Sequence, residues 1–93
     1  MMVELLGTGE QNAQTAKRLA EQTNLSVRDI TKMIRIERLA GNPICSNSKG
    51  YFLPDNDAEM RNTIRRLYKQ GRETIKVADA MRLYQEKGRY NGT

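Results

Sequence analysis

The chain of 93 residues carries 16 Lys and Arg against 11 Asp and Glu, a formal net charge of +5, with no histidine and a single cysteine. This length suits one principal hydrophobic core. The missing imidazole excludes a zinc site built on Cys and His and removes the commonest general base at neutral pH, and a lone Cys45 excludes an internal disulfide framework.

Cys45 has no histidine to activate it and lies in a β-prone run, so a packed, inert thiol is expected there. Neither an enzyme, a metal nor a cofactor is expected, and no small-molecule ligand is evident. A basic surface instead favours polyanions, because each cation that neutralises a phosphate releases a condensed counterion. Anionic membranes attract by the same physics, yet no stretch approaches the roughly 18 to 20 apolar residues of a spanning helix. The start, Met1-Met2-Val3-Glu4, lacks the basic-then-apolar form of a signal peptide. A cytoplasmic protein without a membrane partner is expected.

In chain order, residues 2–6 suit a short first helix that Gly7-Thr8-Gly9 breaks. Thr15 is placed to cap a helix whose inward face is Ala16, Leu19, Ala20 and Thr23. Asn24, which tolerates the left-handed conformation, closes that helix, and Asn24-Leu25 reverses the chain. Ser26 then caps a new helix, with Asp29 three residues on as in a capping box.

In this third helix Ile30, Met33 and Ile34 fall on one side, and Arg28, Thr31, Lys32 and Arg35 on the other. A solvated face would look the same in isolation. Two short helices joined by a three- or four-residue turn, the second with outward cations, match the helix-turn-helix unit whose second helix enters the major groove. Gly41-Asn42 and Pro43 end the helix. The β-prone runs Ile44-Cys45-Ser46 and Tyr51-Phe52-Leu53 flank Asn47-Ser48-Lys49-Gly50, a hairpin loop that presents Lys49 near its tip.

Pro54-Asp55-Asn56-Asp57 stops the second strand and offers caps for a helix beginning near Ala58. From Met60 the positions Ile64, Leu67, Tyr68, Gly71, Ile75, Ala78 and Met81 recur at threes and fours. Gly71 leaves two alternatives open, one long helix or a break near Gly71-Arg72. The sequence thus divides into a domain at 1–56, a helical extension at 57–87 and a frayed tail at 88–93. The fold class expected is α+β and mainly helical.

Residues 15–54, from Thr-Ala-Lys-Arg-Leu-Ala to Gly-Tyr-Phe-Leu-Pro, resemble the winged helix at the amino end of biotin-operon repressors and short DNA-binding proteins of phages and prophages. Ala20, Asn24, Leu25, Ile30 and Met33 match its small, turn and core positions, and Pro43-Ile44 and Gly50-Tyr51 the two ends of its wing. The resemblance implies a three-helix core with a β-hairpin wing. It also implies a small transcriptional regulator or phage or mobile-element protein. Two residues depart from the pattern. Arg18 stands where the family often has an acid, and Glu37 occupies an inward position where Leu is usual. A buried, unpartnered carboxylate is costly. Glu37 must pair with a neighbouring Arg or Lys or reach solvent, unless the helix rotates near its end to bury Ile36 or Leu39.

The function these features imply is sequence-specific binding of double-stranded DNA. Arg28 and Arg35 would donate paired hydrogen bonds to guanine, Lys32 would read guanine or hold a phosphate, and Thr31 would touch a thymine methyl. Thr15, Lys17 and Ser26, near helix starts, suit phosphate, and Asn47 with Lys49 extends the wing to the backbone or minor groove. The alternative is a protein-interaction module in a replication or recombination complex. RNA binding is less favoured, since four Tyr and one Phe offer few stacking surfaces. The surplus apolar stripe predicts a homodimer through residues 58–87 that reads an inverted repeat, or a monomer folded back at Gly71.

Overall fold

The computed structural model describes residues 1–88; the tail expected at 88–93 lies, from residue 89 on, outside the described residues. The Thr15 hydroxyl accepts the Arg18 amide at 3.1 Å and starts α1 (Ala16–Thr23). Asn24, at φ 60° and ψ 23°, closes it in the left-handed conformation. Leu25 and Ser26 complete the turn, and the Ser26 hydroxyl accepts the Asp29 amide at 3.0 Å to start α2 (Val27–Leu39). Local chemistry alone therefore sets both helix starts and the reversal between them.

Next come β1 (Cys45–Asn47) and β2 (Gly50–Phe52), paired antiparallel with Cys45 opposite Phe52, Ser46 opposite Tyr51 and Asn47 opposite Gly50. The turn is thus two residues, Ser48-Lys49, tighter than the four-residue loop the composition suggests. Leu53 instead forms an isolated bridge with Thr8. The Asn47 carbonyl side chain accepts the Lys49 amide at 2.8 Å and holds the turn from inside. With three α-helices and one two-stranded sheet among the described residues, the chain is α+β and mainly helical.

The core gathers Met2, Leu6, Leu19, Ile30, Ile34 and Ile44, with Ala16, Ala20, Met33, Tyr51 and Leu53 packed against it. Each large side chain so buried contributes roughly 1.5–3 kcal/mol. Phe52 and Cys45 are also fully buried. The Cys45 thiol sits 3.7 Å from the Glu59 carbonyl and from the Met60 sulfur, packed as expected.

The segment before α1 adds to the sheet. Gln14 and Tyr51 exchange backbone hydrogen bonds at 2.8 and 2.9 Å, and Leu53 bonds to Gly7 and Gly9, each at 2.8 Å. This close approach requires Gly50: at φ +135° it has no side chain, and a Cβ there would collide with the Gln14 carbonyl and the Thr15 amide. The other side of the hairpin meets Thr63, whose hydroxyl accepts the Ser46 amide at 3.2 Å and donates to the Ser46 carbonyl at 3.4 Å.

Residues 2–6 depart from the expected helix: Met2–Leu5 is a single 3-10 turn. With Gly7 next, a run of four residues is too short to nucleate an α-helix, and the tighter 3-10 form is kept. A second short 3-10 turn covers Glu10–Asn12.

Glu37 is only 4% exposed, so α2 keeps it inward. Neither of the expected escapes is used. Ile36 and Leu39 remain 55% and 78% exposed, and no Arg or Lys pairs with it among the described residues. Its carboxylate instead accepts the backbone amides of Met2 at 2.8 Å and Val3 at 2.9 Å. A 3-10 turn leaves its first amides without internal partners, and the carboxylate supplies them.

Helix α3 (Asp57–Glu86) begins where the Asn56 side chain accepts the Glu59 amide at 3.0 Å, and Glu59 returns a bond to the Asp55 amide at 2.8 Å. It runs unbroken through Gly71, so the break, and a chain folded back at it, do not occur. Residues up to Thr63 belong to one compact unit that starts at Met1; from Ile64 the helix belongs to a second. In that second unit Ile64, Leu67, Tyr68, Ile75 and Met81 are all exposed. Among the described residues no helix is long and apolar enough to cross a membrane.

Candidate nucleic-acid interface

Helix α2 presents Arg28, Thr31, Lys32 and Arg35 to solvent while Ile30, Ile34 and Glu37 face inward. The division follows from helical spacing, since positions three, four and seven residues apart share a face. None of Arg28, Lys32 and Arg35 has an ion-pair partner among the described residues, where all four ion pairs lie within α3. Three cationic side chains are therefore open on one short surface. The Thr31 hydroxyl donates to the Arg28 carbonyl at 2.9 Å, so its proton is used within the helix.

The hydroxyls of Thr15 and Ser26 are both engaged as helix caps. Each remains exposed beside the free amides of a first helical turn. Lys17 is exposed on the first turn of α1 and lacks an ion-pair partner among the described residues. Thr15 also lies against the hairpin, because Gln14 and Thr15 pass over Gly50. The structure therefore brings the start of α1 and the hairpin turn together. Lys49 is exposed at that turn. Asn47 is half-buried, and its side chain is used twice within the chain: its oxygen accepts the Lys49 amide, and its nitrogen donates to Glu10 at 3.3 Å.

One organising residue, Arg38, gave no sign in the sequence analysis. From α2 its guanidinium donates to the Ile44 carbonyl at 2.7 Å and to the Ser46 hydroxyl at 3.1 Å, and lies 5.8 Å from the centre of the Tyr51 ring. It ties the helix that carries Arg28 and Arg35 to the hairpin that carries Lys49. Burial lowers its pKa from the ordinary guanidinium value, and the neighbouring Tyr51 and Cys45 groups act in the opposite direction. The signal available in sequence was an Arg one residue after an inward position, able to reach back along the core. Asn42, expected with Gly41 to end this helix, does so through its side chain, which donates to the Glu37 carbonyl at 3.1 Å and closes the end of α2. No protein family, curated protein or solved structure matches this chain.

Proposed function

We propose that the first unit is a winged helix-turn-helix that binds double-stranded DNA sequence-specifically, as a small transcriptional regulator or a phage or mobile-element protein. In this reading α1 and α2 form the helix-turn-helix, β1 and β2 form the wing, and the Met2–Leu5 turn takes the place of the first core helix. The observation that carries it is the face of Arg28, Thr31, Lys32 and Arg35, exposed and without ion pairs among the described residues, on the helix that follows a tight turn. Arg28 and Arg35 read base edges, Lys32 reads guanine or holds phosphate, and Thr31 offers its methyl to thymine. Thr15, Lys17, Ser26, Asn47 and Lys49 serve the sugar-phosphate backbone.

Selection of bound fragments from a random duplex library tests this directly. Enrichment of a defined site is expected. A flat outcome would overturn the reading and favour the alternative, a protein-interaction module in a replication or recombination complex, for which the exposed side chains of α3 speak.

A further inference from the structure

Along α3 two interleaved sets repeat every seven residues: Ile64, Gly71 and Ala78, and, three residues after each, Leu67, Thr74 and Met81. This is the spacing of a coiled-coil seam. Tyr68 and Ile75 lie directly beside it. All eight are exposed, with Tyr68 and Met81 each 68% accessible. Exposed apolar groups that recur over five turns of a helix, interrupted only at Gly71 and Thr74, mark a surface that a partner covers.

Charge and size select the occupant. Residues 61–72 carry Arg61, Arg65, Arg66, Lys69 and Arg72 without one acid, whereas residues 73–86 carry Glu73, Asp79 and Glu86 against Lys76 and Arg82. Lys76 lies 3.9 Å from Glu73, and Arg82 lies 3.8 Å from Asp79 and 3.9 Å from Glu86. In the basic half only Arg61 has such a partner, Asp57 at 3.1 Å, among the described residues. Two parallel copies would set the basic half against itself. Two antiparallel copies set it beside a half of slight negative charge, which fits a second copy of this chain and fixes its direction.

Side-chain size gives the same answer. In a parallel pair like faces like, so Gly71, Thr74 and Ala78 would form three successive layers of small groups and leave a gap without dispersion contacts. In an antiparallel pair Ile64 meets Met81, Leu67 meets Ala78 and Gly71 meets Thr74. Leu67 then covers the small Ala78, the successive layers of small groups fall from three to two, and Tyr68 and Ile75 flank that narrow centre. We propose that two copies of this chain pair through residues 64–81 as an antiparallel helical coiled coil, with Leu67 of one copy opposite Ala78 of the other. This pairing does not rest on DNA binding by the first unit.

The test uses full-length chains carrying Leu67→Cys or Ala78→Cys under separate affinity tags, with wild type giving the background of the buried Cys45. In the antiparallel pair the two copies of residue 67 are offset by eleven residues, about 16 Å along the axis, beyond the roughly 7 Å that a disulfide spans between Cα atoms. Mild oxidation of the mixture should yield the mixed disulfide, while neither variant alone exceeds wild type, and wild type should sediment as a dimer at micromolar concentration. A disulfide from Leu67→Cys alone would show a parallel pair and overturn the proposal. So would a monomer by sedimentation, or a mixture that fails to cross-link. Duplex binding scored on the same samples reports on the α2 face separately, so failure of one reading is not mistaken for failure of the other.

Discussion

Glu37 holds the backbone amide of Met2 at 2.8 Å from a position 35 residues along the chain, and its second carboxylate oxygen holds Val3. The inward carboxylate of α2 thus serves as the amino-terminal cap of a 3-10 turn that carries the core residue Met2. Replacement by Leu, the residue usual at this position in the proteins the chain resembles, leaves these amides unsatisfied. Glu37→Leu should lose about 2–4 kcal/mol, read from the urea midpoint, because a buried donor without a partner costs about 1–3 kcal/mol and the part-buried Val3 amide adds about 1 more. Glu37→Gln keeps one accepting oxygen and should fall between. A Leu variant as stable as wild type would mean that the capping bonds contribute nothing.

Gly50 is the contact between the hairpin and the strand-like segment before α1. Gly50→Ala forces a side chain into the Gln14 carbonyl at a backbone angle of φ +135°. Left-handed strain together with displacement of the Gln14–Tyr51 bonds should cost about 1–3 kcal/mol in thermal or chemical denaturation. Gly71→Ala is the contrasting case: within one copy a methyl there meets nothing within 4 Å, and in the proposed helix pair it faces only the small Thr74. That substitution should be neutral or stabilise the helix by up to about 1 kcal/mol.

For DNA binding, Arg35 and Lys49 should separate two kinds of contact. Arg35→Ala should erase preference at one or two base positions, a loss of about 1–3 kcal/mol of discrimination. Lys49→Ala should weaken all duplexes about equally. Titration of a selected site and its single-base variants distinguishes these patterns. An Arg35→Ala protein with intact affinity and preference would remove α2 from the recognition role.

Salt supplies an independent measure. If about four to six phosphates are neutralised, log K should fall against log salt with a slope near −0.9 per contact, and Lys49→Ala should reduce that slope by about one. Binding insensitive to ionic strength would contradict a charged interface.

Much of this fold was legible because it depends on near neighbours. Thr15, Asn24 and Ser26 act on groups within three residues, so residue type alone marked the ends of α1 and the start of α2. The face of Arg28, Thr31, Lys32 and Arg35 followed from helical spacing in the same way. What was hidden depends on distant partners. Glu37 is satisfied by backbone amides, which no side-chain pattern advertises, and Arg38 reaches six and eight residues ahead to Ile44 and Ser46. Gly71 was ambiguous for another reason: its helical cost of about 1 kcal/mol is small beside the propensity of the residues around it, so periodicity rather than glycine decides.

The bonds around Ser46 and Tyr51 also bear on self-templating. A two-stranded hairpin normally exposes two rows of unpaired amides and carbonyls, each able to recruit a strand from another chain. Here the Gln14 backbone occupies Tyr51 on one side, and the Thr63 hydroxyl satisfies both the amide and the carbonyl of Ser46 on the other. At its middle pair the sheet has no free edge to offer. Thr63 therefore acts as a one-residue substitute for a neighbouring strand, and it guards the hairpin against the edge-to-edge addition that leads to amyloid-like aggregation.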